Sequence, residues 1–309
     1  MAHWTEDDIA DQTDRVAVVT GGNSGIGWEA ARALAQHGAR VVLACRTRSK
    51  ADDARARMLA VAPKADVSVV DLDLASLDSI ASAAAELSDR FDRIDLLINN
   101  AGVMATPRSK TADGFEMQFG TNHLGHFALT GLLLPTLLAT AGARVVNISS
   151  LAHRMGRIHF DDLQSEQKYS AWGAYGQSKL ANLLFTFELQ RKLAAAGAEC
   201  IAVAAHPGVS TTNLTQSTGG FMGRMATFTQ PVLGKLMQGA DKGALPTLLA
   251  ALDPSAQGGE YYGPGGFMEQ RGYPEQVESS DRSKDVATAA QLWQASVDLT
   301  GVDYGELWS

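Results

Sequence analysis

The stretch "AYGQSKLANLLF" (174–185) sets Tyr175 and Lys179 four residues apart within helical apolar spacing. Residues at i and i+4 are neighbours on one helix face. A phenol titrates near 10, and bringing it to about 7 takes roughly 4 kcal/mol of preferential phenolate stabilisation. An ammonium about 4 Å away supplies about that much at an effective dielectric near 20. The pair therefore predicts an acid–base tyrosine tuned by its lysine. A Tyr–Lys pair standing alone is usually an ordinary surface pair, so the reading depends on its surroundings.

Two further signals converge on it. "NISS" (147–150) puts Ser149 and Ser150 at the end of an apolar run, where a hydroxyl can hold a substrate oxygen. "TGGNSGIG" (20–27) follows another apolar run and opens a helical pattern. Glycines there let backbone N–H groups approach a phosphate at the positive helix end. A Walker A loop is excluded, because Trp28 and Glu29 stand where Lys and Ser/Thr are required. A nucleophile elbow at Ser24 fails because Ile26 replaces the second glycine.

A site for NAD ordinarily ends its second strand with Asp or Glu, which holds the ribose 2′-OH. Here no acid occurs between Glu29 and Asp52, and the strand ends "ACRTRSK" (44–50). Arg46, helped by Arg48 or Lys50, suits a 2′-phosphate through charge-assisted hydrogen bonds. NADP(H) is thus the preferred cofactor and NAD(H) the alternative. A solvated basic loop is the bland reading of the same residues.

Such residues need elements to hold them. Apolar runs rich in β-branched residues at 15–20, 39–45, 66–72, 95–100, 144–149 and 200–206, with a weaker one near 260, read as strands. Alanine-rich helical patterns at 25–37, 49–61, 76–90, 114–140, 172–196, 239–252 and 284–298 alternate with them. Apolar strands separated by helices predict an α/β fold: a single doubly wound parallel sheet with helices on both faces. Ligands then bind beyond the carboxyl ends of the strands. Residues 1–13 read as an extension and 14–309 as one catalytic domain. The Gly-, Met- and Phe-rich segment 213–238 reads as a substrate flap or an ordinary surface loop.

Composition narrows the classes. The 309 residues are 45% hydrophobic and carry a formal charge of -8 without a basic cluster, which disfavours nucleic acid and anionic lipid as partners. The acidic start lacks a signal-peptide pattern, and the apolar stretch 127–143 is short for a membrane span and contains Pro135. Cys45 and Cys200 lie in apolar runs and read as reduced core thiols, which suits a cytoplasmic protein. His123, His126, His153, His159 and His206 lack metal-ligand spacing and read as packing or hydrogen-bonding residues, so no metal is expected. A Ser150–His153 nucleophilic pair has no orienting acid at a fixed spacing and leaves Tyr175 and Lys179 unexplained.

Taken in order, "TGGNSGIG", "NNAG" (99–102), "NISS", "YGQSK" and "HPGVSTT" (206–212) resemble the motifs of the short-chain dehydrogenase/reductases. "LACR", "TNHLGHF", "ISSLAH" and "AYGQSKLANLLF" resemble the retinol-dehydrogenase-like branch, which also holds protochlorophyllide reductases and WW-domain oxidoreductases. The resemblance implies a Rossmann-like fold and hydride transfer between nicotinamide and an apolar alcohol or carbonyl substrate. It implies Tyr175 as acid–base group, Lys179 as its partner and ribose ligand, Ser150 as substrate-orienting and Ser149 as structural. Asn122 would fix a relay water. Gly21, Ser24, Gly25, Ile26 and Gly27 would surround the pyrophosphate, and Arg46 would meet the 2′-phosphate. Asp73 and Leu74 would border the adenine, and Asn100, Ala101 and Gly102 the adenosine side. Pro207, Gly208, Val209 and Thr212 would meet the carboxamide. The acidic lead-in differs from the apolar anchor of membrane-bound members, and the segment 151–173 is long for the family. Monomer and homodimer both stay open. So do a catalytically silent NADP-binding sensor or scaffold and an epimerase or lyase that retains its cofactor.

Overall fold

The computed structural model describes residues 3–209 and 238–305. Thr212 and nearly all of the expected flap at 213–238 lie outside the described residues.

Eight strands form one sheet: β1 (Val16–Thr20), β2 (Arg40–Cys45), β3 (Val67–Asp71), β4 (Leu96–Asn99), β5 (Arg144–Ile148), β6 (Ile201–Ala205), β7 (Tyr261–Pro264) and β8 (Pro274–Gln276). Their order is β3-β2-β1-β4-β5-β6-β7-β8. The pairs from β3 through to β7 are parallel, while β8 is antiparallel to β7. The direction of winding reverses between β1 and β4, so a crevice opens there beyond the carboxyl ends.

Helices cover both faces: α1 (Gly25–Gln36), α2 (Arg48–Val61), α3 (Leu77–Arg90), α4 (Gly125–Ala139), α5 (Ala171–Ala195), α6 (Ala240–Leu252) and α7 (Val286–Thr300). β1 shows why its run is apolar throughout. Ala17 and Val19 pack into the core formed with α1, α2 and α6, while Val16 and Val18 face the core formed with α3, α4 and α5. Successive side chains point to opposite faces, and here both faces are covered. The extension is tied down as well. Arg32 of α1 holds Glu6 at 2.7 Å, and Ile9 is buried in the first core.

Two elements differ from the expected ones. The apolar segment 114–140 is not one helix. A short turn at Met117–Phe119 leads into a wide π-helical turn, Gly120–Leu124, before α4 begins. Apolar residues on every side hide this break from periodicity, and such insertions gather at functional sites. β8 is short, polar and antiparallel at the sheet edge, so it carries no apolar-run signal.

The carboxyl-terminal stretch closes the second core. Tyr304 is fully buried, its hydroxyl donates to the Phe127 carbonyl at 2.8 Å, and its ring meets Phe127, Phe185 and Trp293. This ring cluster joins α4, α5 and α7. Tyr304→Ala is expected to cost about 3–5 kcal/mol of stability by urea denaturation. Tyr304→Phe, which keeps the ring, is expected to cost only about 1 kcal/mol.

Candidate active site

The crevice is organised around the end of β1. Thr20 Oγ1 accepts from the backbone N–H groups of Asn100 and Ala101, each at 2.9 Å, which pins the end of β4 beside that of β1. The Asn100 amide donates to the Thr20 carbonyl at 2.8 Å. A Cβ on Gly27 would stand 2.3 Å from that amide nitrogen, so only glycine lets α1 start this close to β4. Ser24 precedes α1 without capping it through its side chain, leaving the first N–H groups at Gly25, Ile26 and Gly27 turned to the glycine loop.

Arg46 is exposed at the carboxyl end of β2, as is Lys50. Arg48 is engaged elsewhere, with Asp52 at 3.2 Å and Asp71 at 3.9 Å. Spacing did not reveal a further guanidinium at the loop. Arg57 on α2 donates to the Asn23 carbonyl of the glycine loop at 3.0 Å and lies over the Trp28 ring. Only the packing of α2 along the loop brings it there. Asp73 caps its own turn, accepting from Ala75 N–H at 3.0 Å, and Leu74 is buried with its carbonyl against Gly125.

At the end of β5, Ser149 is buried and donates to the Lys179 carbonyl at 2.8 Å. Ser150 is half-buried, and its hydroxyl accepts from Ala152 N–H at 3.2 Å. α5 brings Tyr175 and Lys179 to the same edge, both buried. The Lys179 ammonium donates to the Ile148 carbonyl at 3.0 Å and lies 5.8 Å from the centre of the Tyr175 ring. A methyl group on Gly102 would stand 3.0 Å from Asn122 Oδ1 and 3.6 Å from Lys179 Nζ, so these groups meet around one point.

The wide turn aims Asn122 inward. Its amide clasps the Val103 backbone, accepting at 2.8 Å and donating at 2.9 Å, and also donates to Ser178 at 2.9 Å. Ser178 in turn donates to the Tyr175 carbonyl at 2.8 Å. His126 bridges the Asn122 carbonyl at 3.0 Å and Thr20 Oγ1 at 2.9 Å, and burial pushes it down to about 4, so it stays neutral. Ser178 and His126 are thus part of the frame, and nothing in their spacing marks them.

The electrostatics correct one expectation. Lys179 does not by itself bring the Tyr175 phenol towards neutrality. Burial raises that phenol, and a hydrogen bond with Ser150 draws it part of the way back. The same burial pushes Lys179 down to about 8. A dry site disfavours phenolate and ammonium alike, and the ammonium is turned to a carbonyl as well as to the ring.

Pro207 and Gly208 are half-buried and Val209 exposed, in the loop after β6. Trp172 meets the Tyr175 ring edge-on at 6.1 Å and is 47% exposed, forming an apolar wall at the mouth. The long segment before it is stitched down by Gln177, which accepts from His159 N–H at 3.0 Å and donates to the Leu163 carbonyl at 3.0 Å. Uncapped N–H groups, exposed Arg46 and a strand end without an acid are a donor set that fits a dinucleotide phosphate. Among the described residues there is no cluster of metal-ligating side chains, and no helix is long and apolar enough to cross a membrane.

The model of the short chain dehydrogenase family matches residues 15–221. Retinol dehydrogenase 12 of Mus musculus is 41% identical over 290 residues, covering 94% of this chain and 87% of that protein. Retinol dehydrogenase 13 of Homo sapiens is 42% identical over 293 residues, covering 94% and 85%. The crystal structure of an uncharacterized protein from Mycobacterium paratuberculosis superposes with a TM-score of 0.82 at 43% identity, covering 98% of this chain and 99% of that one. The Pseudomonas aeruginosa RhlG/NADP active-site complex gives 0.65 at 25% identity, covering 81% and 94%. The glycine loop, the sheet order and these matches agree: the chain belongs to the short-chain dehydrogenase family, in its retinol-dehydrogenase-like branch, and is an NAD(P)-dependent dehydrogenase/reductase.

Proposed function

We propose that the protein is an NADP(H)-dependent oxidoreductase for apolar carbonyl or alcohol substrates, with Tyr175 as its acid–base group. The observation that carries this is the meeting of Tyr175, Ser150, Lys179 and Asn122 at one strand edge beside the glycine loop. Bound nicotinamide supplies or accepts the hydride. Ser150 holds the substrate oxygen, and Tyr175 passes a proton to it or takes one from it. Burial raises the phenol, so Tyr175 is protonated at neutral pH and can donate in carbonyl reduction. Lys179, hydrogen-bonded to Ile148, would favour the phenolate that remains and would hold the ribose of a bound cofactor. Asn122 keeps the Val103 backbone and Ser178 in place and would fix a relay water beside Lys179. Asn100, Ala101, Gly102, Asp73 and Leu74 border the adenosine half, and Pro207, Gly208 and Val209 the carboxamide.

Arg46, with Arg57 behind the loop, supports the choice of NADP(H). The exposed apolar side chains Trp172 and Met155 support a hydrophobic substrate. Free, buried Cys45 and Cys200 support a reducing compartment such as the cytoplasm.

Tyr175→Phe is expected to lower kcat for aldehyde reduction by a factor of about 100 or more, followed by NADPH absorbance. Turnover equal to wild type overturns the mechanism. Arg46→Ala is expected to weaken NADPH binding by roughly 10-fold or more in calorimetry, the loss of a charge-assisted bond, while NADH binding stays within about two-fold. With Lys179 titrating at about 8, kcat/KM for reduction is expected to fall as pH rises through that value, because deprotonation removes the cation that favours the departing proton. Lys179→Met is expected to abolish this limb along with most of the activity.

A further inference from the structure

Behind the catalytic serine lies a second polar group that the reaction as described does not use. His206 directly follows β6 and is fully buried. The Gly208 N–H donates to its Nδ1 at 3.2 Å, which assigns the ring proton to Nε2, and Nε2 faces Glu269 Oε2 at 3.2 Å. The other oxygen of Glu269 takes the Arg154 guanidinium at 2.9 Å. Arg154 closes the short turn Leu151–Arg154 that Ser150 caps. In the same turn His153 donates to the Ser150 carbonyl at 2.7 Å and accepts from Ser280 N–H at 3.1 Å.

The backbone is bent to make this arrangement. Met268 and Glu269 sit consecutively at φ of 52° and 56°, a left-handed conformation that costs side-chain-bearing residues roughly 1–2 kcal/mol each. Strained residues of this kind persist where surrounding contacts hold them. A Cβ on Gly263 would lie 2.0 Å from His206 Nε2, so glycine at that position of β7 leaves the ring its room. Val209 N–H also donates to the Gln270 carbonyl at 2.8 Å, binding the loop after β6 to the Glu269 segment a second time. His206 and Arg154 both hold the Glu269 carboxyl below the usual carboxylate range, so it is ionised at neutral pH.

We propose that Glu269 is a positioning residue: through His206 and Arg154 it clamps the Pro207–Val209 loop to the turn bearing Ser150. The nicotinamide half of the cofactor is thereby kept in register with the substrate oxygen. The proposal rests on the reading of that loop as the carboxamide site.

The test compares NADPH with 2′,5′-ADP, which carries the adenosine half and lacks nicotinamide, by calorimetry on wild type, Glu269→Ala and Glu269→Gln. Glu269→Ala is expected to weaken NADPH at least ten-fold and 2′,5′-ADP less than two-fold. Glu269→Gln keeps an acceptor for His206 and is expected to fall between wild type and alanine for NADPH alone; it carries the test if the alanine variant does not fold. Equal loss of both ligands marks a merely structural residue and overturns the proposal, as does unchanged NADPH affinity. A wild-type chain that binds 2′,5′-ADP and NADPH equally would instead overturn the carboxamide reading beneath it. The two failures are therefore distinguishable.

Discussion

The bond from the Lys179 ammonium to the Ile148 carbonyl is the constraint around which the crevice is built. It draws a cation out of water and parks it at the end of a central strand, 3.0 Å from a backbone oxygen. A buried charge must be hydrogen-bonded or it reverts to the neutral form. Here the ammonium holds its proton only up to about 8. The same dryness keeps the neighbouring phenol protonated. At this edge burial shifts both groups towards their neutral forms.

Burial on this scale requires polar partners throughout, and the sheet supplies them as a relay of amides and hydroxyls. Asn99 donates to Thr130 on α4 and to Asn147 on β5. Asn147 donates to Thr186 on α5, and Asn182 shares the Ile148 carbonyl with Lys179. These side chains tie the strands bearing the site to the two helices that cover it. Such a network fixes one register, because any slip leaves its buried donors unpaired, although Asn99 Oδ1 itself accepts no hydrogen bond. Thr20, Asn100 and His126 do the same on the cofactor side. The molecule uses hydrophobic burial for stability and hydrogen bonds for placement.

The left-handed pair Met268–Glu269 belongs to the same logic. Local strain there accompanies the approach of the Glu269 carboxylate to His206. The wide turn at Gly120–Leu124 is a second departure from regular geometry, and it too delivers a side chain, Asn122, to the centre of the crevice.

Most of the architecture was legible in the order of residues. Unbroken apolar runs and alanine-rich amphipathic segments marked the seven parallel strands and the principal helices, because a sheet covered on both faces tolerates little else. The glycine loop, the paired serines and the Tyr–Lys spacing were likewise visible, since each depends on neighbours close in the chain. What spacing could not show were groups that meet only across elements: Arg57 at the glycine loop, Ser178 between Asn122 and Tyr175, and Glu269 on His206. Nor could it show the sign of the phenol's shift, because desolvation is a property of the packed interior. Sequence determined which reactive groups exist and on which elements they ride. Tertiary structure alone decided how dry their surroundings are and which distant charges face them.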